Sequence, residues 1–119
     1  MATIFLIKLH WKLITISLLI LISFLSLYPV EKIPEFNGND KFHHLVAYFF
    51  LAFPSGLNNK NKIFLIFLFV SFGGSIEIIQ PYINRNGEWL DFLSNCLGII
   101  TGFSVGAILN SWLLKFDIV

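Results

Sequence analysis

Charge is scarce in this chain. Eight Lys and Arg and seven Asp and Glu among 119 residues make 13% charged, against roughly 25% in soluble domains. So little charge on a chain that is 56% hydrophobic excludes both a solvated enzyme surface and a disordered segment. Cysteine is nearly absent, and Cys96 alone rules out a disulfide-built secreted module. Basic clusters are missing as well: the formal net charge is +1, Arg85 is the only arginine, and the lysines are scattered. That gives no footprint for a nucleic-acid backbone, which is met by dense Lys/Arg patches with aromatics among them. Phenylalanine, by contrast, is abundant at fourteen, and the mean hydropathy is +0.79. The chain reads as an integral membrane protein.

A span needs roughly 20 apolar residues, and four stretches qualify, at about 13–30, 42–57, 62–80 and 90–114. The first, LITISLLILISFLSLYPV, is uncharged between Lys12 and Glu31 and ends at Tyr28 and Pro29. It exceeds a signal-peptide core and precedes no small-residue cleavage site. EKIPEFNGN, with Pro34 and Gly38, reads as an irregular loop before the second stretch. NNKNK is a short basic turn, the third stretch is halted by Pro81, and PYINRNGEW forms the last loop. The expected fold is therefore an all-α membrane protein, a single domain over residues 1–119 built as a four-helix transmembrane bundle. Lys8, Lys12, Lys60, Lys62 and Lys115 fall on one side, and Lys32, Lys41 and Arg85 on the other, so the excess places both termini in the cytoplasm.

In that topology every acid except Asp117 lies in or beside the two outer loops. On the fourth helix Asp91, Asn95, Gly98, Gly102 and Gly106 share an arc of about 80°, polar above and bare below. GxxxGxxxG spacing is what lets membrane helices approach backbone to backbone, so these glycines read as packing positions. On the third helix Gly73, Glu77 and Gln80 share a face, which sets a carboxyl group about one turn inside the outer interface. An ionisable group inside a span is costly and points to function, with Arg85, His44 and Lys41 as its candidate partners. The bland alternative is a Glu77 that only ties helices together.

On the second helix Asp40, His44 and Tyr48 are spaced i, i+4, i+8, with Lys41 and His43 in the same first turn. Asp40 serves equally as a helix cap, and Tyr48 as an interfacial aromatic. An imidazole one turn from a carboxylate also suits proton transfer near neutral pH. No metal is expected from spacing: adjacent His43 and His44 point about 100° apart on a helix, and no HxxxH or Cys/His pattern exists. No cofactor is expected either. Arg85 offers a planar fork for phosphate or carboxylate, while Glu88 at a helix start needs no function. Cys96, beside the glycine stripe, reads as packing, and Trp11, Trp89 and Trp112 as interfacial anchors.

Two segments carry these residues, DKFHHLVAYFFLAF and GGSIEIIQPYINRNGEWLDFLSNCLGIITG. Together they resemble the VanZ-like family of small bacterial membrane proteins over roughly residues 38 to 105. That family's pattern runs Asp-Lys, a histidine three residues on, a tyrosine four further, Glu-x-x-Gln, a loop arginine and Asp-x-x-x-Asn-x-x-Gly. Asp40, Lys41, His44, Tyr48, Glu77, Gln80, Arg85, Asp91, Asn95 and Gly98 match it in turn; His43 is an extra residue beside the family histidine. The resemblance implies the bacterial cytoplasmic membrane and an association with resistance to the glycopeptide antibiotic teicoplanin, whose target is a lipid-linked cell-wall precursor.

The functional expectation is a site on the outer face that binds, and conceivably modifies, a phosphorylated or glycosylated envelope lipid. Glu77, Asp91 and His44 would be its acid/base or catalytic core. Asp40, Lys41, Tyr48, Gln80, Arg85 and Asn95 would be substrate-binding residues, and Gly73, Gly98, Gly102 and Gly106 packing positions. No serine elbow or activated cysteine marks a nucleophile, so the residues choose no reaction. The rival expectation is a non-catalytic scaffold docking a partner membrane protein or a second copy. A transporter is disfavoured, because one polar cluster near one face is not a pathway.

Overall fold

A computed structural model describes residues 2–27, 40–58, 62–83 and 89–115. All of the regular structure there is helical: α1 (Ala2–Leu9), α2 (Trp11–Leu27), α3 (Asp40–Asn58), α4 (Lys62–Ile79), a 3-10 turn at Gln80–Ile83, and α5 (Trp89–Lys115). By length and composition α4 and α5 are able to cross a membrane, and α1 with α2 makes a third candidate if that bent pair counts as one span. α3 coincides with the second apolar stretch, but its polar residues crowd into the first turn, DKFHH, and its apolar run is correspondingly short. α1 lies outside the stretches read from hydropathy. It meets α2 at 81°, even though the backbone bonds His10 N to Leu6 O and Ile14 N to His10 O, both 3.0 Å, carry through the bend.

The closest packing in the molecule is between α3 and α5. Both run away from the same end, and the glycine stripe of α5 lies on backbone of α3. A methyl group added at Gly98 would strike the Leu45 carbonyl oxygen, one at Gly102 that of Phe49, and one at Gly106 that of Phe53. Three successive glycines thus meet three successive carbonyls at the same four-residue interval. Gly56 returns the arrangement from the α3 side, against the Phe103 carbonyl. Side chains cannot be accommodated along this seam, and van der Waals contact between backbones replaces the hydrophobic drive that a lipid solvent withholds.

The remaining helices close around this pair. Leu51, Ala52 and Tyr48 of α3, Ile99 and Phe103 of α5, Leu65 and Phe69 of α4 and Ile22 of α2 form one buried cluster. Outside it the surface is strongly apolar: Ile63, Phe67, Ile78 and Ile108 are each at least 70% exposed. A surface of this kind is incompatible with a monomer in water and matches one solvated by acyl chains.

At the end remote from the first turns of α3 and α5, a small polar group fastens α1. Lys8 Nζ donates to Asn110 Oδ1 at 2.7 Å, and Asn58 Nδ2 donates to the Lys8 carbonyl at 3.2 Å and to that of Pro54 at 3.0 Å. In a sequence scan Lys8 speaks only of orientation. Its tie to Asn110, 102 residues away, is a product of the fold.

Gly102→Ala would force α3 and α5 apart and lower stability in detergent by about 1–3 kcal/mol. Thr101→Ala, which removes an exposed hydroxyl bonded only to carbonyls of its own helix, would be close to neutral. Thermal unfolding of the two variants beside wild type checks the contrast.

Candidate functional site

Because α3 and α5 start at one end of the bundle and α4 finishes there, residues far apart in the chain are delivered to one level. His44 lies in the second turn of α3, Asp91 and Asn95 in the first two turns of α5, and Glu77 in the last turn of α4. Glu77, Asp91 and Asn95 are buried and His44 partly so. His44 Nδ1 is 2.8 Å from Asn95 Oδ1 and 3.7 Å from Glu77 Oε1. An amide oxygen only accepts, so Nδ1 carries the proton in this contact. Ligand-type atoms of His44, Glu77 and Asp91 all fall within 4.8 Å of one another.

Gly73 and Tyr48 form the floor. A Cβ on Gly73 would stand 3.3 Å from Asn95 Nδ2 and 3.3 Å from Tyr48 Cε2, so this glycine opens room for two polar side chains to meet. Its role differs from that of the α5 glycines, which face backbone. Tyr48 is 2% exposed, and its hydroxyl lies within electrostatic range of the Glu77 carboxylate. Neither that hydroxyl nor Asn95 Nδ2 has a hydrogen-bond partner among the described residues. A buried polar atom without a partner costs about 1–3 kcal/mol, so each such group calls for an explanation.

Gln80 is buried one turn beyond Glu77 and donates from Nε2 to the Ser26 carbonyl at 3.1 Å. That carbonyl belongs to the last turn of α2, where helical partners run out, so Gln80 ties α2 to the cluster. Its Oε1 has no partner among the described residues. Asp40 and Lys41 open α3, but their side chains lie outside the described residues, as do Arg85 and Glu88 altogether. His43 is exposed and turns away beside Phe42, their rings 6.4 Å apart. Cys96 is partly buried on α5.

The tryptophans divide. Trp11 packs against the core with the Lys12 ammonium 5.7 Å from its ring, whereas Trp89 and Trp112 are 73% and 53% exposed.

Comparison of the chain with protein-family models, with curated proteins and with solved structures gives no match.

The arrangement offers an imidazole, two carboxylates, an amide and a phenol in a space screened from water, a set able to bind a polar headgroup, a cation or a proton in transit. Tyr48→Phe removes a hydroxyl that has no hydrogen-bond partner among the described residues, so the variant would match or exceed wild type in thermal stability while losing any ligand held there. Asn95→Leu strips His44 Nδ1 of its acceptor and would lose about 1–3 kcal/mol. A Tyr48→Phe melting point well below wild type would show the hydroxyl to be structural.

Proposed function

We propose that this chain is a bacterial cytoplasmic-membrane protein, VanZ-like in kind, that binds a phosphorylated or glycosylated envelope lipid at an extracytoplasmic polar site. In this reading four spans form the bundle, with α1 and α2 together supplying the first and α3, though short, the second. Both termini are cytoplasmic, because Lys8, Lys12, Lys62 and Lys115 all belong to the end opposite the cluster.

The observation that carries the proposal is the convergence of partly buried His44 with buried Glu77, Asp91 and Asn95, from three helices, at one end of a molecule whose flanks are apolar. Burying such groups in a membrane protein is expensive, and packing at the glycine seam holds α3 to α5 without them. A lipid offers what the site needs: its tails occupy the apolar flank while its headgroup reaches the helix ends. Lys41 and Arg85 are the cations assigned to an anionic headgroup, with Arg85 suited to a bidentate grip on phosphate. Asp40, Tyr48, Gln80 and Asn95 complete the polar lining, and Glu77, Asp91 and His44 are the groups able to move a proton if the bound lipid is also modified.

The resemblance supports a lipid-linked cell-wall precursor as the ligand class and links the protein to glycopeptide resistance of the teicoplanin kind.

Native mass spectrometry of the protein from mild detergent, after incubation with a bacterial envelope lipid extract, tests this. Wild type would retain one phosphate-bearing or glycosylated lipid at least tenfold more than Asp91→Asn, Glu77→Gln or Arg85→Ala, with Glu88→Ala like wild type. A lipid of new mass accumulating with time would add turnover. Equal retention by all forms, or none by folded wild type, would end the lipid reading and favour a scaffold that docks a partner membrane protein or a second copy.

A further inference from the structure

We propose that His44, Glu77, Asp91 and Asn95 form a site for one divalent transition-metal ion, of which zinc is the probe. Three ligand atoms from three helices, one imidazole nitrogen and two carboxylate oxygens, already lie within 4.8 Å of one another, and the Asn95 amide oxygen is 2.8 Å from the imidazole. Bonds of roughly 2.0–2.2 Å to a tetrahedral ion hold neighbouring ligands roughly 3.3–3.6 Å apart. The 3.7 Å between His44 Nδ1 and Glu77 Oε1 is already close to that spacing. What remains is for the carboxylates to close in by about an ångström and for the Asn95 oxygen, nearer than that spacing at 2.8 Å, to back away, movements of the kind that broad side-chain end-torsions permit.

The chemistry of the set selects the class of ion. An imidazole nitrogen with carboxylate oxygens suits zinc and its neighbours, whereas calcium and magnesium take all-oxygen shells. In the metal-bound form His44 coordinates through Nδ1, its proton moving to Nε2, and the Asn95 oxygen that accepted that proton's hydrogen bond is free to become a fourth ligand. The ring stays neutral and no oxidant or reductant is involved.

Two polar atoms beside the cluster, on side chains that meet at Gly73, lack partners among the described residues. Asn95 Nδ2 is fully buried and the Tyr48 hydroxyl 2% exposed, each without a hydrogen-bond partner among the described residues. Where a water or phosphate oxygen takes the fourth position in place of Asn95, that oxygen would supply one. Local spacing in the sequence is silent here because His44, Glu77 and the Asp91–Asn95 pair come from three different helices.

This inference concerns the site to which the lipid reading is assigned but does not require the lipid, and delipidated protein separates the two. Wild-type protein, stripped with chelator and dialysed against zinc, would take up about one ion per chain. Zinc would also shield His44 from diethyl pyrocarbonate, read by peptide mass spectrometry, while exposed His10 and His43 continue to react. That footprint needs no variant. Glu77→Gln and Asp91→Asn, where folded by circular dichroism, would bind at least tenfold more weakly, and His43→Gln like wild type. Zinc uptake without lipid retention supports the metal site and ends the lipid reading alone. Lipid retention by chelator-treated protein that takes up no zinc, or zinc uptake leaving His44 as reactive as before, overturns the metal site.

Discussion

Backbone contact between α3 and α5 is the constraint on which everything else rests. Gly98, Gly102 and Gly106 set against the carbonyls of Leu45, Phe49 and Phe53 leave no slack for a side chain, so the pair is limited to registers that keep glycine on carbonyl. Sliding by one turn would move every group about 5–6 Å along the axis. The 2.8 Å contact between His44 and Asn95, one helical turn above the first glycine contact, would then be lost. The seam holds the helices together and the polar contact selects the register among those it allows. Close packing also makes the arrangement stiff, because a seam of backbone against backbone has no rotamers to relax.

The polar cluster and the seam divide the labour of assembly. In lipid there is no hydrophobic force between helices, so association comes from packing and from polar groups that find one another. α3 and α5 use the first means and α4 the second. Glu77 reaches His44 across the bundle, while Gly73 one turn away makes room for Tyr48 and Asn95. Gln80 then extends the cluster to the carbonyl of Ser26, which draws in the end of α2. A single run of polar side chains, from Asn95 through His44 and Glu77 to Gln80, links all four long helices.

How much of this was legible in the sequence follows from the range of the signals. Spacing along one helix revealed the α5 stripe, the shared face of Gly73, Glu77 and Gln80, and the i, i+4 placing of His44 and Tyr48, because a period of 3.6 is a local property. The convergence of those faces at one end was legible from counting hydrophobic stretches. Distances between helices were not, so a three-helix ligand set could not be told from three separate polar faces, and spacing alone argued against a metal. α1 escaped because its apolar residues run into those of α2, and hydropathy has no term for an 81° bend. The Lys8–Asn110 bond escaped because single Asn and Lys residues carry no pattern.

The ends of the helices explain why such a cluster is tenable at this level and no deeper. α3 and α5 both begin here and α4 ends here, so two helix N-termini and one C-terminus face the site. Each N-terminus presents unpaired backbone N–H groups and the positive end of its dipole, worth about 0.3–1 kcal/mol to a nearby negative charge. Asp91, in the first turn of α5, stands where this field best accommodates an acid. Deprotonated carboxylates are what a metal ion requires, and the same field favours a phosphate brought in from outside. Moved two turns down, where Tyr48 gives way to Leu51, Ala52 and Phe69, the same residues would lose the helix ends and face only hydrocarbon. A buried charge cluster in so small a bundle is confined to the end where two parallel helices start together, and the glycine seam is what keeps them side by side.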